Sequence, residues 1–375
     1  MDALILSCGT GGGHDSAARA VLEEMEKQGH HAVMLNPYML KSRRLADSIN
    51  NTYITAARDA PKAFGAVYKL GDLYRQLPFR SPVYFANHGM SGILQGYLAE
   101  NHFDVVIMTH LFAAEILTNM KRQGMEIPGT IFVATDYVCI PFTEETECDA
   151  YVIPAEDLAG DFVSRGIPAE KLYPFGIPTA SAFAGQEDRD AVRRRLGLDA
   201  EKKYILITGG SMGGGKIEKA IAKLRAHFAS QEDTVLIIVC GSNKVLFDKL
   251  SPQADDRTVV IGYTRDMASY IKASDLFITK PGGLSSTEAA VCGVPVFHTS
   301  PIPGCESHNA RYFSQRGMSI SGEVDDEILV AVDEVLDNGR VRAEMVASQR
   351  KYCSSHAAAD ICALAQQMAA RREKP

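Results

Sequence analysis

Ala3-Leu-Ile-Leu-Ser-Cys-Gly-Thr-Gly-Gly-Gly-His14 and, about half a chain later, Tyr204-Ile-Leu-Ile-Thr-Gly-Gly-Ser-Met-Gly-Gly-Gly-Lys216 follow one pattern. Each is a short apolar run, a glycine-rich loop and the start of a helix-forming segment. An unalternating apolar run that feeds a helix through glycines is how a parallel α/β unit begins. Backbone N–H groups at such a helix start are a ready site for an anion. Two such beginnings imply two Rossmann-like α/β domains. Their parallel sheets would face each other across a cleft able to hold two substrates.

The remaining chain keeps the alternation. Further strand-like runs lie at 32–36, 105–109, 129–135, 150–153, 234–240, 258–261, 276–279 and 294–298. Helices are expected from Asp15, Lys216, Met267, Ser285 and Ser307. The segment from Tyr173 to Ser181 carries Pro174, Gly176 and Pro178 and reads as the linker. The expected domains are 1–180 and 181–345, with a C-terminal helix in 346–375 crossing back to the first. Residues 41–90 break the pattern as a helical insertion. Lys and Arg at 41, 43, 44, 58, 62, 69, 75 and 80 outnumber Asp47, Asp59 and Asp72 there, with Tyr, Phe and Leu between them. Such a face suits an anionic membrane surface; a solvated helical pair is the plainer alternative.

Composition excludes several classes. A chain of 375 residues, 46% hydrophobic and 23% charged, suits a soluble two-domain protein. Its net charge of -7 argues against a nucleic-acid partner. No apolar run reaches the roughly 18–20 residues that span a bilayer. Asp2 and the short first run do not make a signal peptide. The expected location is cytoplasmic, with peripheral attachment to the inner face of the cell membrane. The eight cysteines form no CxxC pair and no zinc-spaced cluster with histidine, so they read as core residues and no metal is expected.

Three loops carry candidate chemistry. In Gly9–His14 the amides, Gly13 among them, can approach a phosphate or substrate oxygen closely. The loop fits a dinucleotide fingerprint only in part, and Asn36-Pro37 stands where an acidic residue should follow the second strand. His14 ends the loop at a helix start, which disfavours the imidazolium, so it can accept a proton. Gly210-x-x-x-x-Gly215-Lys216 nearly matches a P-loop, but Ile217 replaces the hydroxyl residue that would hold Mg²⁺. What remains is a set of amides for a phosphate. The third loop is Thr279-Lys280-Pro-Gly282-Gly283-Leu284-Ser285-Ser286-Thr287-Glu288. Its helix start offers amides and hydroxyls to a diphosphate, and Glu288, expected in the first turn, can accept from a sugar diol. Pro301-Ile-Pro-Gly-Cys305-Glu306-Ser-His-Asn309 adds a carboxylate and an amide at the same sheet edge.

Together these motifs resemble glycosyltransferase family 28, on the branch of monogalactosyldiacylglycerol synthase and processive diacylglycerol glucosyltransferase. The resemblance spans nearly the whole chain and includes Gly13-His14, Thr109-His110 and Thr135-Asp136-Tyr137. It implies a GT-B fold and a metal-independent inverting transferase that takes a UDP-sugar. The base would lie against Gly262-Tyr263-Thr264. Glu288 would bind the ribose, and Gly210, Ser211, Met212 and Ser285–Thr287 the diphosphate. Glu306 and Asn309 would face the donor sugar, with Cys305 standing where the family often has Gln. His14 would take the proton of the acceptor hydroxyl, with Asp136 as the alternative base. An imidazole with an ordinary pKa near ~6.5 suits that role at neutral pH. The acceptor would be a membrane lipid such as diacylglycerol. The chain has no Trp, and Phe142 stands where an acceptor-side aromatic is expected. Other readings are transfer to a soluble acceptor, a nucleotide-sugar 2-epimerase using Asp136, Glu115 and His110, and a non-catalytic UDP-sugar sensor.

Overall fold

The computed structural model describes residues 1–75, 79–185, 187–209 and 217–372. In chain order the elements are β1 (Asp2–Leu6), α1 (Gly12–Lys27), β2 (His31–Leu35), α2 (Arg43–Asp59), α3 (Pro61–Tyr74), α4 (Pro82–His88), α5 (Ser91–Glu100) and β3 (Val105–Met108). Then come α6 (Leu111–Arg122), β4 (Gly129–Val133), β5 (Ala150–Val152), α7 (Ala159–Ser164), β6 (Leu172–Tyr173), α8 (Ser181–Ala184), α9 (Arg189–Arg195) and β7 (Lys203–Thr208). The second half continues with α10 (Ile217–His227), β8 (Thr234–Val239), α11 (Lys244–Leu250), β9 (Thr258–Ile261), α12 (Met267–Ala273), β10 (Leu276–Thr279) and α13 (Gly283–Cys292). It ends with β11 (Val296–His298), α14 (Cys305–Gln315), β12 (Ile320–Ser321), α15 (Asp326–Asp337), α16 (Gly339–Tyr352) and α17 (Ala357–Arg372).

Two compact units result. One holds 1–181, 303–305 and 354–375; the other holds 182–302 and 306–353. In the first, six strands run parallel in the order β2-β1-β3-β4-β5-β6. Side chains alternate across it. Leu4, Leu6, Val106, Met108 and Phe132 face a core with Leu94, Ile116 and Leu117. Ala3, Ile5, Val105, Ile107 and Ile131 face the other way, onto Val21 and Met25 of α1 and Ile361, Leu364 and Ala365 of α17. Strands buried on both faces need apolar residues at every position, which is why these runs do not alternate in sequence.

The second unit repeats the plan in the order β12-β11-β10-β7-β8-β9, again all parallel. In each sheet the chain leaves its first strand toward one edge and later returns to that strand's other side. The reversal falls between β1 and β3 in the first unit and between β7 and β10 in the second. A crevice opens at the carboxyl ends of such strands, and ligands of open α/β sheets bind there.

All ten strands read from sequence form. The short edge strands β6 and β12, two residues each, carry too little pattern to be read.

Candidate active site

At the first reversal, β1 delivers the loop Cys8–Gly11 and β3 delivers Thr109 and His110. Gly11 caps α1 at φ 148°, a left-handed conformation that favours glycine. At Gly9 a Cβ would sit 2.5 Å from the Asn50 amide nitrogen, so a side chain there would displace Asn50. His14 lies in the first turn of α1, half-buried. Its Nδ1 is 2.7 Å from the Thr109 carbonyl oxygen and 3.0 Å from the Thr135 hydroxyl. A carbonyl can only accept, so Nδ1 carries a proton, and in the neutral ring the lone pair is on Nε2. The ring is therefore set up to receive a proton at Nε2.

His110 packs edge-on to His14, ring centroids 4.5 Å apart. Its Nδ1 accepts from the Phe112 amide at 3.1 Å, capping α6, so Nε2 donates to the Thr10 hydroxyl at 2.7 Å. Burial, then the nearby His14, hold its pKa well below the ordinary imidazole value. His110 is thus a neutral structural ring with both nitrogens engaged. Asp136 follows β4 and lines a small cavity with His14, Thr109 and Thr135. Both candidate bases therefore border one space.

At the second reversal the loop 210–216 lies outside the described residues, and with it Gly210, Ser211, Met212 and Lys216. The partner loop after β10 is described. The structure corrects two expectations about it. The helix α13 starts at Gly283, capped by Gly282, not at Ser285. The amide of Ser286 already bonds the Gly282 carbonyl, and Thr287 Oγ1 donates to the Gly283 carbonyl. The helix-start amides without an intrahelical partner thus belong to Gly283, Leu284 and Ser285. Glu288 consequently lies past the first turn, beyond the reach of the helix-start dipole. Burial instead pushes its carboxyl up to about 8. Lys280 is buried and forms no ion pair among the described residues.

The other donor-side residues gather at the same carboxyl edge. Asn309 on α14 is buried and donates to the Pro281 carbonyl at 3.0 Å, tying α14 to the loop. Glu306 accepts from the Ile302 amide at 2.6 Å, while Cys305 opens α14 and is half-buried. After β9, Tyr263 is 73% exposed and Thr264 accepts from the Asp266 amide. Sequence reading missed His298 at the end of β11. It is buried, bonds the Ser286 hydroxyl at 2.9 Å through Nε2, and burial drives its pKa down to about 3. Only its place at a strand end could have flagged it.

Arg75 does not belong to the basic face read at 41–90. It is turned inward, paired with Glu144 and, at 3.2 Å, with Asp72. The side chains of Arg58, Lys62 and Lys69 lie outside the described residues. Phe142 is half-buried with its ring against Tyr74 of α3. The residues needed for epimerase chemistry do not converge: Glu115 is fully buried in α6 and His110 is engaged on both sides.

Two family models match, between them most of the chain: monogalactosyldiacylglycerol (MGDG) synthase over residues 14–179, and the glycosyltransferase family 28 C-terminal domain over 204–362. The chain belongs to glycosyltransferase family 28, in its MGDG synthase-like branch. It is a glycosyltransferase. A processive diacylglycerol beta-glucosyltransferase of Bacillus licheniformis is 26% identical over 347 residues, covering 91% of this chain and 88% of that protein. Among solved structures, Acinetobacter baumannii MurG superposes with a TM-score of 0.63 at 17% identity, over 98% of this chain and 99% of that one. A UDP complex of Staphylococcus aureus MnaA gives 0.66 at 14% identity, over 96% and 95%. These likenesses give the family 28 chain its GT-B fold. No helix among the described residues is long and apolar enough to cross a membrane.

Proposed function

We propose that this family 28 member is an inverting transferase that moves a hexose from a UDP-sugar to the hydroxyl of a membrane lipid such as diacylglycerol. The observation that carries the reading is the hydrogen bond between His14 Nδ1 and the Thr109 carbonyl. Its Nδ1–H is fixed on the Thr109 carbonyl, leaving Nε2 as a base at the reversal of the first sheet. In the reaction the acceptor oxygen attacks the anomeric carbon on the face opposite UDP. Its proton passes to His14 Nε2, and the bond to the diphosphate oxygen breaks with its electron pair leaving on UDP. Asp136 is the alternative base.

Unit 2 supplies the donor side. Charge developing on the diphosphate is met by the amides of Gly283, Leu284 and Ser285 and by Lys280, a preorganised electrostatic role that requires no metal. Glu288 holds the ribose hydroxyls and Glu306 the sugar, while Asn309 fixes the loop beside them through the Pro281 carbonyl. The relatives' name, processive diacylglycerol beta-glucosyltransferase, supports the lipid acceptor.

The protein works at a membrane surface in this reading. Met39, Leu70, Leu73, Phe79 and Phe85 are five of the nine exposed large hydrophobics among the described residues, and all fall within 39–85. Exposed Lys41, Arg43, Arg44 and Arg80 accompany them. Apolar side chains that insert beside cations that meet anionic headgroups would hold unit 1 on the inner face of the cell membrane. The test is UDP release from several UDP-sugars, with diacylglycerol, isoprenoid-lipid and soluble acceptors and with none. Release only with the lipid hydroxyl, undiminished by EDTA, is expected. Equal release with no acceptor refutes transfer, and loss in EDTA refutes the metal-free site.

A further inference from the structure

A cavity of about 770 Å³ lies in unit 1. That is within the roughly 300–1,000 Å³ of small-molecule sites. Its walls are α2 and α4, its floor the segment at Tyr38 and the ring of Phe112. The lining is mainly apolar: Leu45, Ile49 and Ala56 from α2 face Val83, Ala86 and Met90. The polar groups are few. They are Lys41, which is exposed, the hydroxyls of Ser48 and Thr52, and the Asn87 amide, whose oxygen already accepts from the Tyr38 hydroxyl.

Three observations say what fits. The cavity reaches toward the base: Phe112 on its floor packs on His110, centroids 4.6 Å apart, and His110 packs on His14 at 4.5 Å. Asn50, next to Ile49, holds a buried amide oxygen with no hydrogen-bond partner, beside Gly9. An unmet acceptor thus sits where the cavity adjoins the His14 loop. Finally, exposed Phe85 and Met39 and the cations Lys41, Arg43 and Arg44 flank the same elements, a polarity that matches lipid tails below charged headgroups.

We infer that this α2–α4 cavity is the acyl-chain site of the acceptor: one fatty-acyl chain of a glycerolipid lies in it, with the free hydroxyl end toward His14. The inference rests on the lipid-acceptor reading above and adds where the lipid is gripped. It makes chain length a specificity determinant set by residues remote from the sugar.

A diacylglycerol bearing a diazirine midway along one acyl chain tests it. The full-length protein is irradiated with this probe in phosphatidylglycerol-containing vesicles, and adducts are mapped by mass spectrometry. Glycolipid formation from a panel of UDP-sugars is followed in parallel. Adducts within 45–60 and 82–90 are expected, competed by unlabelled diacylglycerol. Ala86→Trp and Ala56→Trp, which fill the cavity from opposite walls, are each expected to lower them at least fivefold. The wild-type map decides even if one variant fails to fold. Glycolipid formed with adducts only elsewhere, or adducts indifferent to both variants, overturns the acyl site and leaves the transferase reading intact. Adducts in the cavity with no glycolipid from any UDP-sugar uphold acyl binding and overturn the reading on which it rests.

Discussion

At His14 an acceptor-only partner, the Thr109 carbonyl, puts a proton on Nδ1, and the neighbouring His110 stays uncharged because burial, and then His14, disfavour its charged form. Glu288 is a residue of the opposite kind, a carboxyl whose burial makes ionisation costly. If a ribose diol donates to it, the bound state favours the carboxylate and its pKa falls on binding. Below about 8 the free protein must then release a proton to bind. UDP affinity is therefore expected to strengthen as pH rises from 7 toward 8.5, and Glu288→Gln to remove that slope. Titration calorimetry in buffers of different ionisation enthalpy reads both. A slope unchanged in the variant would detach Glu288 from the ribose.

The element scale has its own buried carboxyl. Glu115 sits inside α6 with both carboxylate oxygens buried and unbonded. Burial, then Glu145, raises its pKa from 4.5 to about 8 against the opposing pull of Arg122 and Arg80. The folded state thus holds this proton where the unfolded chain releases it. Its contribution to stability is full below about 4.5 and is lost as pH rises toward 8. Glu115→Gln is expected to reduce the fall in Tm over that window and to leave the variant more stable than wild type at pH 8.5. Parallel Tm curves would exclude a raised pKa. Elements also mark how far the sequence could be read. Apolar runs identify ten strands because both sheet faces are covered. Helix starts are read late, at Asp15, Ser285 and Ser307 where the helices begin at Gly12, Gly283 and Cys305. In the first two a glycine read as loop belongs to the first turn, so glycines supply helix-start amides. Arg75 could not be read because its partner Glu144 is 69 residues away, and His298 because only folding brings it to Ser286.

For the whole molecule, the two units share one plan, and the proposed reading divides the chemistry between them: base and acyl cavity in the first, donor groups in the second. The formal charge of -7 opposes an anionic membrane, so the proposed attachment rests on the local basic and apolar face of 39–85. Flotation with anionic vesicles is expected at low salt and to weaken as salt shortens the screening length, with Phe79→Ser and Phe85→Ser lowering the residue that persists at high salt. Absence from vesicles at every salt concentration would remove the membrane face. The most direct measurement is the product itself. Incubated with UDP-glucose, UDP-galactose or UDP-N-acetylglucosamine and diacylglycerol vesicles, the protein should yield a glycosyl-diacylglycerol whose anomeric configuration, read by NMR, is inverted from the donor's. His14→Ala should lower turnover about 10²–10⁴-fold while UDP affinity persists. A retained configuration, or a His14→Ala enzyme as fast as wild type, would contradict the account.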